Sequence, residues 1–200
     1  MRTMDRKKYI IIMAGGSGTR MGSATPKQFL MLKGRSVLHH TMQQFVDAEP
    51  GIKIITVLPK EHIEYWKQYC IANNFFYPQT IVQGGITRFY SVRNGLDKVP
   101  EGALVGVHDG VRPLVTKELI NALYKKAEIY KAVIPIVPCT DTMKAVSLTH
   151  TESGEEEYET IPDIELDRSI MFGAQTPQVF HSEVLKAAYR QAFDTAFTAL

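Results

Sequence analysis

Along the chain, short apolar runs rich in β-branched residues alternate with segments whose apolar positions recur every three or four residues. Tyr9–Met13 reads as a buried strand, and Ile52–Leu58 as another that stops at Pro59. Thr80–Val82 is a short strand, and Ala103–His108 and Ala132–Val137 are two more. The intervening segments carry helical periodicity. Ser36–Glu49 places Val37, Leu38, Thr41, Met42 and Phe45 on one face, with Ser36 available as N-cap. Glu61–Asn73 sets Ile63, Trp66 and Cys70 on its inner stripe, and a further helix runs from about Arg88 to Leu96. Thr116 caps a helix reaching Tyr130, and Ser182 caps one running towards the C-terminus. Strands apolar on both faces and followed by helices predict a mostly parallel sheet covered by helices.

The rhythm breaks after Pro138. From Asp141 to about Ile170 no buried helix is evident, and the alternation of Ile161, Ile164, Leu166 and Ile170 is patchy. A weakly apolar insertion of this length is either disordered or packed on something else. It is also acidic: between Thr151 and Asp167 stand Glu152, Glu155, Glu156, Glu157, Glu159, Asp163, Glu165 and Asp167, with no basic residue. Setting those eight apart from the 21 acidic residues leaves 13 against 23 basic ones, so the net charge of +2 hides a basic body. Such a body steers anionic substrates, and nucleic acid equally, so charge alone decides nothing.

Composition narrows the class only a little. At 44% hydrophobic and 22% charged residues, the 200-residue chain is that of a globular domain rather than a disordered or fibrous one. No apolar run approaches the ~20 residues of a membrane-spanning helix. The basic start, followed by the short apolar stretch Ile10–Met13, is expected to feed the first strand rather than act as a leader. Cys70 and Cys139 build neither a disulfide framework nor a metal-ligand spacing, so a reducing cytoplasm is the expected location.

The chemistry is concentrated behind the first strand. Ala14-Gly15-Gly16-Ser17-Gly18-Thr19-Arg20-Met21-Gly22 is followed by Pro26-Lys27-Gln28-Phe29. A glycine-rich turn there lies where open α/β sheets bind ligands, and its bare backbone N–H groups can cradle phosphate oxygens. A tight turn needing positive φ is the plainer alternative, less fitting for four glycines interleaved with Arg20. Two nucleotide motifs fail. The pattern G-x-G-x-x-G from Gly16 meets Met21 where it needs glycine, and Thr25-Pro26 delays any helix. The P-loop pattern fails because no Lys-Ser or Lys-Thr follows. What remains is an extended loop with cations at Arg20 and Lys27, able to wrap a triphosphate and meet charge that builds on phosphorus.

These residues resemble the signature loop of the nucleotidyltransferases that activate phosphorylated sugars and alcohols. Four further segments narrow the resemblance to the 2-C-methyl-D-erythritol 4-phosphate cytidylyltransferase family. They are Gly84-Gly85 with Arg88 and Ser91; His108-Asp109-Gly110-Val111-Arg112-Pro113; Asp141-Thr142-Met143-Lys144; and Asp167-Arg168-Ser169 with Gln175-Thr176-Pro177-Gln178. The motifs occur in order from Tyr9 to about Phe193. The resemblance implies a Rossmann-like three-layer α/β/α sandwich, as one domain over residues 1–200 with a protruding dimerisation arm at about 141–170.

It also implies roles. CTP lies on Ala14, Gly15, Gly16 and Gly18, and Arg20 and Lys27 stabilise the transition state. Gly84-Gly85 reads cytosine, a side chain there being an obstacle to close approach, and Arg88 and Ser91 resemble base and phosphate contacts. Asp109 stands beside the nucleotide and is the one residue offered to Mg²⁺, which is carried mainly by the CTP phosphates. A structural ion pair with Arg112 is the alternative for both residues. His108 is expected to satisfy a local hydrogen bond, because a phosphate monoester is already an anionic nucleophile. Thr142 and Arg168, together with Arg112 and Thr176, are implied to hold the acceptor, an alditol phosphate. Arg168 also counts as catalytic.

In the family the insertion clasps a second subunit, which implies a homodimer with shared active sites. A solvated acidic loop is the alternative, and the tip of this long arm is expected to be exposed in either case. The family continues beyond the last helix to a strand ending in a lysine that positions the acceptor phosphate, whereas these residues stop at Leu200. Either the sequence is a shortened form, or one acceptor contact is lacking. Three functions are weighed: methylerythritol phosphate cytidylyltransferase, ribitol 5-phosphate cytidylyltransferase, and a non-catalytic nucleotide-binding module. Asp141-Thr142-Met143-Lys144 and Asp167-Arg168-Ser169 favour the first. Nucleic acid is not an expected partner, since the cations cluster around glycine turns with no stacking aromatics between them, and a membrane is not, for want of a long apolar run.

Overall fold

The computed structural model describes residues 6–15, 25–151 and 153–195. They form two compact units: residues 1–134 with 176–200, and residues 135–175.

The larger unit is built on a six-stranded sheet. Its strands are β1 (Lys8–Met13), β4 (Lys53–Leu58), β5 (Gln79–Gln83), β6 (Leu104–Asp109), β7 (Ala132–Val133) and β12 (Gln178–His181), in the order β5-β4-β1-β6-β12-β7. The first four run parallel, and β12 is antiparallel to both its neighbours. β1 lies between β4 and β6, and Ile10, Ile11 and Ile12 are fully buried, as a central strand covered on both faces requires. Side chains on one face of the sheet (Ile10, Ile12, Ile54, Leu104, Val179) pack with helices α1 (Val37–Ala48), α2 (Lys60–Ala72) and α4 (Lys117–Ala127). Those on the other face (Ile11, Met13, Ile55, Val57, Val105, Val107) pack with α3 (Arg88–Leu96) and α5 (Ser182–Asp194). The three-layer sandwich is therefore present.

Caps form where small hydroxyl residues precede the helices. Ser36 Oγ accepts the His39 N–H at 3.2 Å, and Thr116 Oγ1 accepts the Leu119 N–H at 3.2 Å. At the start of α1, the Ser36 N–H donates to Tyr69 Oη at 2.7 Å, and that hydroxyl lies 3.1 Å from Nδ1 of buried His39. Ser182 departs from expectation. It is the first residue of α5 rather than its cap, and its Oγ accepts the Ala103 N–H at 3.0 Å. The reason is β12, unexpected from the sequence, which pairs on both edges and runs directly into the helix. A tiny hairpin of β2 (Met31–Leu32) and β3 (Arg35–Ser36) leads into α1.

The strand expected over Ala132–Val137 is two strands. β7 ends at Val133, and β8 (Ile136–Pro138) pairs instead with β11 (Phe172–Ala174) in the smaller unit. Pro135 between them has no N–H to continue a ladder. The insertion is a hairpin of β9 (Val146–His150) and β10 (Glu156–Thr160). Val146, Leu148 and Tyr158 share one face, and Ser147, Thr149, Glu157 and Glu159 the other.

Gly106 on β6 shows how closely helix and sheet approach. A Cβ there would lie 2.6 Å from Tyr124 Oη and 2.8 Å from Ile10 Cδ1, while Tyr124 donates to the Tyr9 carbonyl at 2.6 Å. Gly106→Val is expected to destabilise the fold by roughly 1–3 kcal/mol, or more if the Tyr124 bond breaks. A lowered urea midpoint would register this, and an unchanged midpoint would contradict it.

Candidate active site

Three parallel strands end at one edge, and the chain leaving each is fastened to its neighbour. The Ala14 N–H donates to Val57 O at 2.9 Å, Gly84 N–H to Leu58 O at 2.8 Å, and Gly110 N–H to Met13 O at 2.8 Å. Ala14 is buried and Gly15 exposed, so the backbone emerges into solvent at the first glycine. A single 3₁₀ turn over Lys27–Phe29 returns to the same place. Buried Phe29 packs against Tyr65 with ring centroids 4.7 Å apart, and buried Gln28 donates through Nε2 to Ala14 O at 2.8 Å. With Gln28 and Phe29 anchored inwards, Lys27 between Pro26 and Gln28 is left half-buried.

Beside these residues lies an open cleft of about 710 Å³, lined among others by Gly15, Pro26, His62, Gly84 and Gly85. Ser91, one turn into α3, shapes the glycine turn. Its buried Oγ accepts the Gly85 N–H at 2.9 Å and lies 3.3 Å from Gly85 O. A Cβ on Gly85 would come 2.4 Å from Tyr90 Cβ and 3.1 Å from the Tyr90 carbonyl carbon, so any side chain must push the turn out of place.

Asp109, the last residue of β6, faces two guanidinium groups. Arg88 Nη2 is 2.8 Å from its Oδ1, and Arg112 Nε donates to its Oδ2 at 2.8 Å. Burial pushes this carboxyl up, but Arg88 and Arg112 together outweigh burial and hold it below the usual carboxylate range. The pair leaves one net positive charge at the strand edge, suited to phosphate oxygens. The Asp109 N–H points at Thr176 Oγ1, 3.5 Å away. His108 is fully buried, and its Nε2 lies 3.1 Å from Arg112 O, the local bond expected of it. Burial lowers its pKa to about 4, and neutral imidazole is the form present near pH 7.

Among the described residues, no three His, Cys, Asp or Glu side chains gather to hold a metal. Asp109 is a lone carboxylate already paired with arginines. That fits a hard cation brought mainly by substrate phosphates, not one caged by protein.

Of the residues expected at the site, Ala14, Gly15, Lys27, Gly84, Gly85, Arg88, Ser91, Asp109, Arg112 and Thr176 belong to the larger unit. Its strand ends, loops and α3 bring them to one edge. Gly16, Gly18 and Arg20 lie outside the described residues. Thr142 and Arg168 belong to the smaller unit; both are exposed, and Arg168 Nη1 donates to Thr140 O at 3.3 Å. Sequence reasoning gave no part to Gln28 or to Thr41, whose Oγ1 donates to Gly110 O at 2.9 Å. The hint available was their position: a polar residue beside Lys27, and a hydroxyl on the apolar stripe of α1.

An open parallel sheet with a glycine turn and paired cations at its carboxyl edge defines a nucleotide-using α/β transferase. The family model for 2-C-methyl-D-erythritol 4-phosphate cytidylyltransferase matches residues 9–199, and the chain belongs to that family, nucleotidyltransferases of non-mevalonate isoprenoid biosynthesis. A protein of that name from Porphyromonas gingivalis is 46% identical over 198 residues, covering 98% of this chain and 82% of the relative. One from Bacteroides thetaiotaomicron is 45% identical over 193 residues, with 96% and 82% covered. Among solved structures, the 4-diphosphocytidyl-2C-methyl-D-erythritol synthase of Anaerococcus prevotii superposes with a TM-score of 0.74 at 26% identity. That match covers 97% of this chain and 80% of the other.

Proposed function

We propose that this chain transfers the cytidylyl group of CTP to 2-C-methyl-D-erythritol 4-phosphate. A phosphate oxygen of the acceptor attacks the α-phosphorus in line, the bond to the bridging oxygen breaks, and pyrophosphate leaves with that electron pair. Arg20 and Lys27 meet the charge that develops. Gly84 and Gly85 present main-chain donors and acceptors to cytosine, with Ser91 holding their turn. Arg88, Asp109 and Arg112 form a charge cluster facing phosphate, and Thr176 stands beside it. Mg²⁺, carried on the triphosphate with Asp109 as the available protein carboxylate, would supply further charge neutralisation. The observation that carries this reading is the Gly85 turn, too tightly packed on Tyr90 for any side chain and opening onto the cleft beside Gly15.

Calorimetry tests base selection. CTP is expected to bind at least tenfold more tightly than UTP or ATP, and Gly85→Ala to weaken CTP by roughly tenfold, about 1.4 kcal/mol. Equal affinity for the three nucleotides would contradict the reading.

The smaller unit is proposed to pair two copies, with Thr142 and Arg168 serving the neighbour's acceptor site. Its support is the exposed cluster of Val146, Leu148 and Tyr158 on one face of the hairpin, beside His150, Glu156 and Thr160. Sedimentation at micromolar concentration should give a dimer, and Leu148→Asp a monomer; a wild-type monomer would contradict the pairing. No helix among the described residues is long and apolar enough to cross a membrane. With Cys70 and Cys139 both free thiols, the cytoplasm is the proposed location.

A further inference from the structure

We propose that His108 is a positioning residue of the nucleotide site, a buried peg whose Nε2–H fixes the Asp109–Arg112 turn. This rests on the cytidylyl-transfer reading above. His108 lies at the end of β6 with no exposed surface, its ring edge-on to Phe45 at a centroid distance of 5.0 Å. It touches no part of the cleft. Its Nε2 is 3.1 Å from the Arg112 carbonyl, and because a carbonyl oxygen only accepts, Nε2 carries the proton. Nδ1 is then a bare acceptor, and it has no hydrogen-bond partner among the described residues.

That arrangement is costly for a residue that merely fills space. A phenyl or isobutyl group would pack on Phe45 without burying an unsatisfied nitrogen. What the imidazole adds is the hold on Arg112. The ties on the turn from Asp109 to Arg112 include Gly110 N–H to Met13 O at 2.8 Å, Thr41 Oγ1 to Gly110 O at 2.9 Å, Arg112 N–H to Asp109 O at 3.1 Å, and His108 to Arg112 O. The last ties the Arg112 carbonyl itself, and it helps set where the Arg112 side chain begins its reach to the Asp109 carboxylate. Releasing it lets Arg112 drift, leaves Asp109 paired with Arg88, and misplaces charge that the transferring phosphate needs.

The geometry separates two variants of similar size. In His108→Gln the side-chain amide nitrogen falls where Nε2 was and can still donate to Arg112 O. In His108→Asn it falls near Nδ1 and cannot reach. We expect H108Q to keep kcat within about threefold of the parent. H108N should lose kcat by on the order of 10²-fold, the cost typical of a misplacement of about 1 Å. Its calorimetric Kd for CTP should change less than kcat. Thr41→Val removes the neighbouring tie without changing volume and is expected to lower kcat in the same direction, giving a second test if H108N folds poorly. The proposal is overturned if H108Q and H108N lose activity equally, if His108→Leu matches the parent, or if activity in every variant simply follows the folded fraction. A parent protein inactive with CTP would instead overturn the cytidylyl-transfer reading, a distinguishable result.

Discussion

Replacing Arg20 by alanine should cut turnover by about 10²–10³-fold, equivalent to roughly 3–4 kcal/mol of transition-state stabilisation, while weakening CTP binding far less. The inequality follows from when the charge appears. In the ground state the triphosphate charge is spread over many oxygens and shared with its counter-ions. As the bond to pyrophosphate breaks, charge concentrates on the bridging oxygen and around the α-phosphorus. A guanidinium fork fixed there gains most at that moment. Arg20→Lys keeps the charge but not the fork and is expected to fall between the two. Steady-state kinetics beside calorimetry reads the difference. Equal losses in affinity and turnover would mean that Arg20 serves only to bind nucleotide.

Acid should unfold this protein at mild pH. His39 is almost fully buried and His108 completely so; burial lowers the pKa of each to about 4 from an ordinary 6.5, with Arg35 and His40 adding to the effect at His39. Between those values the unfolded chain binds a proton that the folded one refuses, so stability falls as pH falls from about 6.5 to 4, and is fully retained above 6.5. Each histidine accounts for up to about 3 kcal/mol over that window, a large share of the ~5–15 kcal/mol typical of a domain. Asp109, held below the usual carboxylate range by Arg88 and Arg112, extends the loss to lower pH. Urea unfolding at pH 7.5, 6.5, 5.5 and 4.5 should show the midpoint steady over the first step and then dropping. His39→Gln should flatten the drop. A midpoint independent of pH down to 4.5 would refute the neutral-histidine picture.

What the sequence made legible follows from where the free energy lies. β1, β4 and β6 are apolar on both faces and bounded by breakers, and Ser36 and Thr116 cap the helices they precede. Gln178–His181 was not legible as a strand: with a polar residue at each end and a proline before it, its pairing comes wholly from the edges of β6 and β7. The break at Pro135 was visible in principle, since a proline rarely sits inside a paired strand. The hairpin of β9 and β10 was obscured because its polar face is acidic and its apolar face exposed.

At the site, the glycine loop after β1 and Asp109 stood out by their place behind parallel strands, while Gly84-Gly85 was named through the family resemblance. Arg112, three residues on, was foreseeable as its partner, but Arg88 was not, because the two meet only through the fold of α3 onto the sheet. Gln28 and Thr41 are likewise defined by hydrogen bonds to residues far along the chain, whereas Ser91 was named with the Gly84-Gly85 motif and only its bond to that turn was not.

The reaction itself is tested most directly by pyrophosphate release on mixing the protein with CTP, Mg²⁺ and one acceptor at a time. Rapid release with 2-C-methyl-D-erythritol 4-phosphate, and little with ribitol 5-phosphate or with no acceptor, is the predicted result. Release that favours ribitol 5-phosphate, or none with either acceptor while CTP still binds, would contradict it.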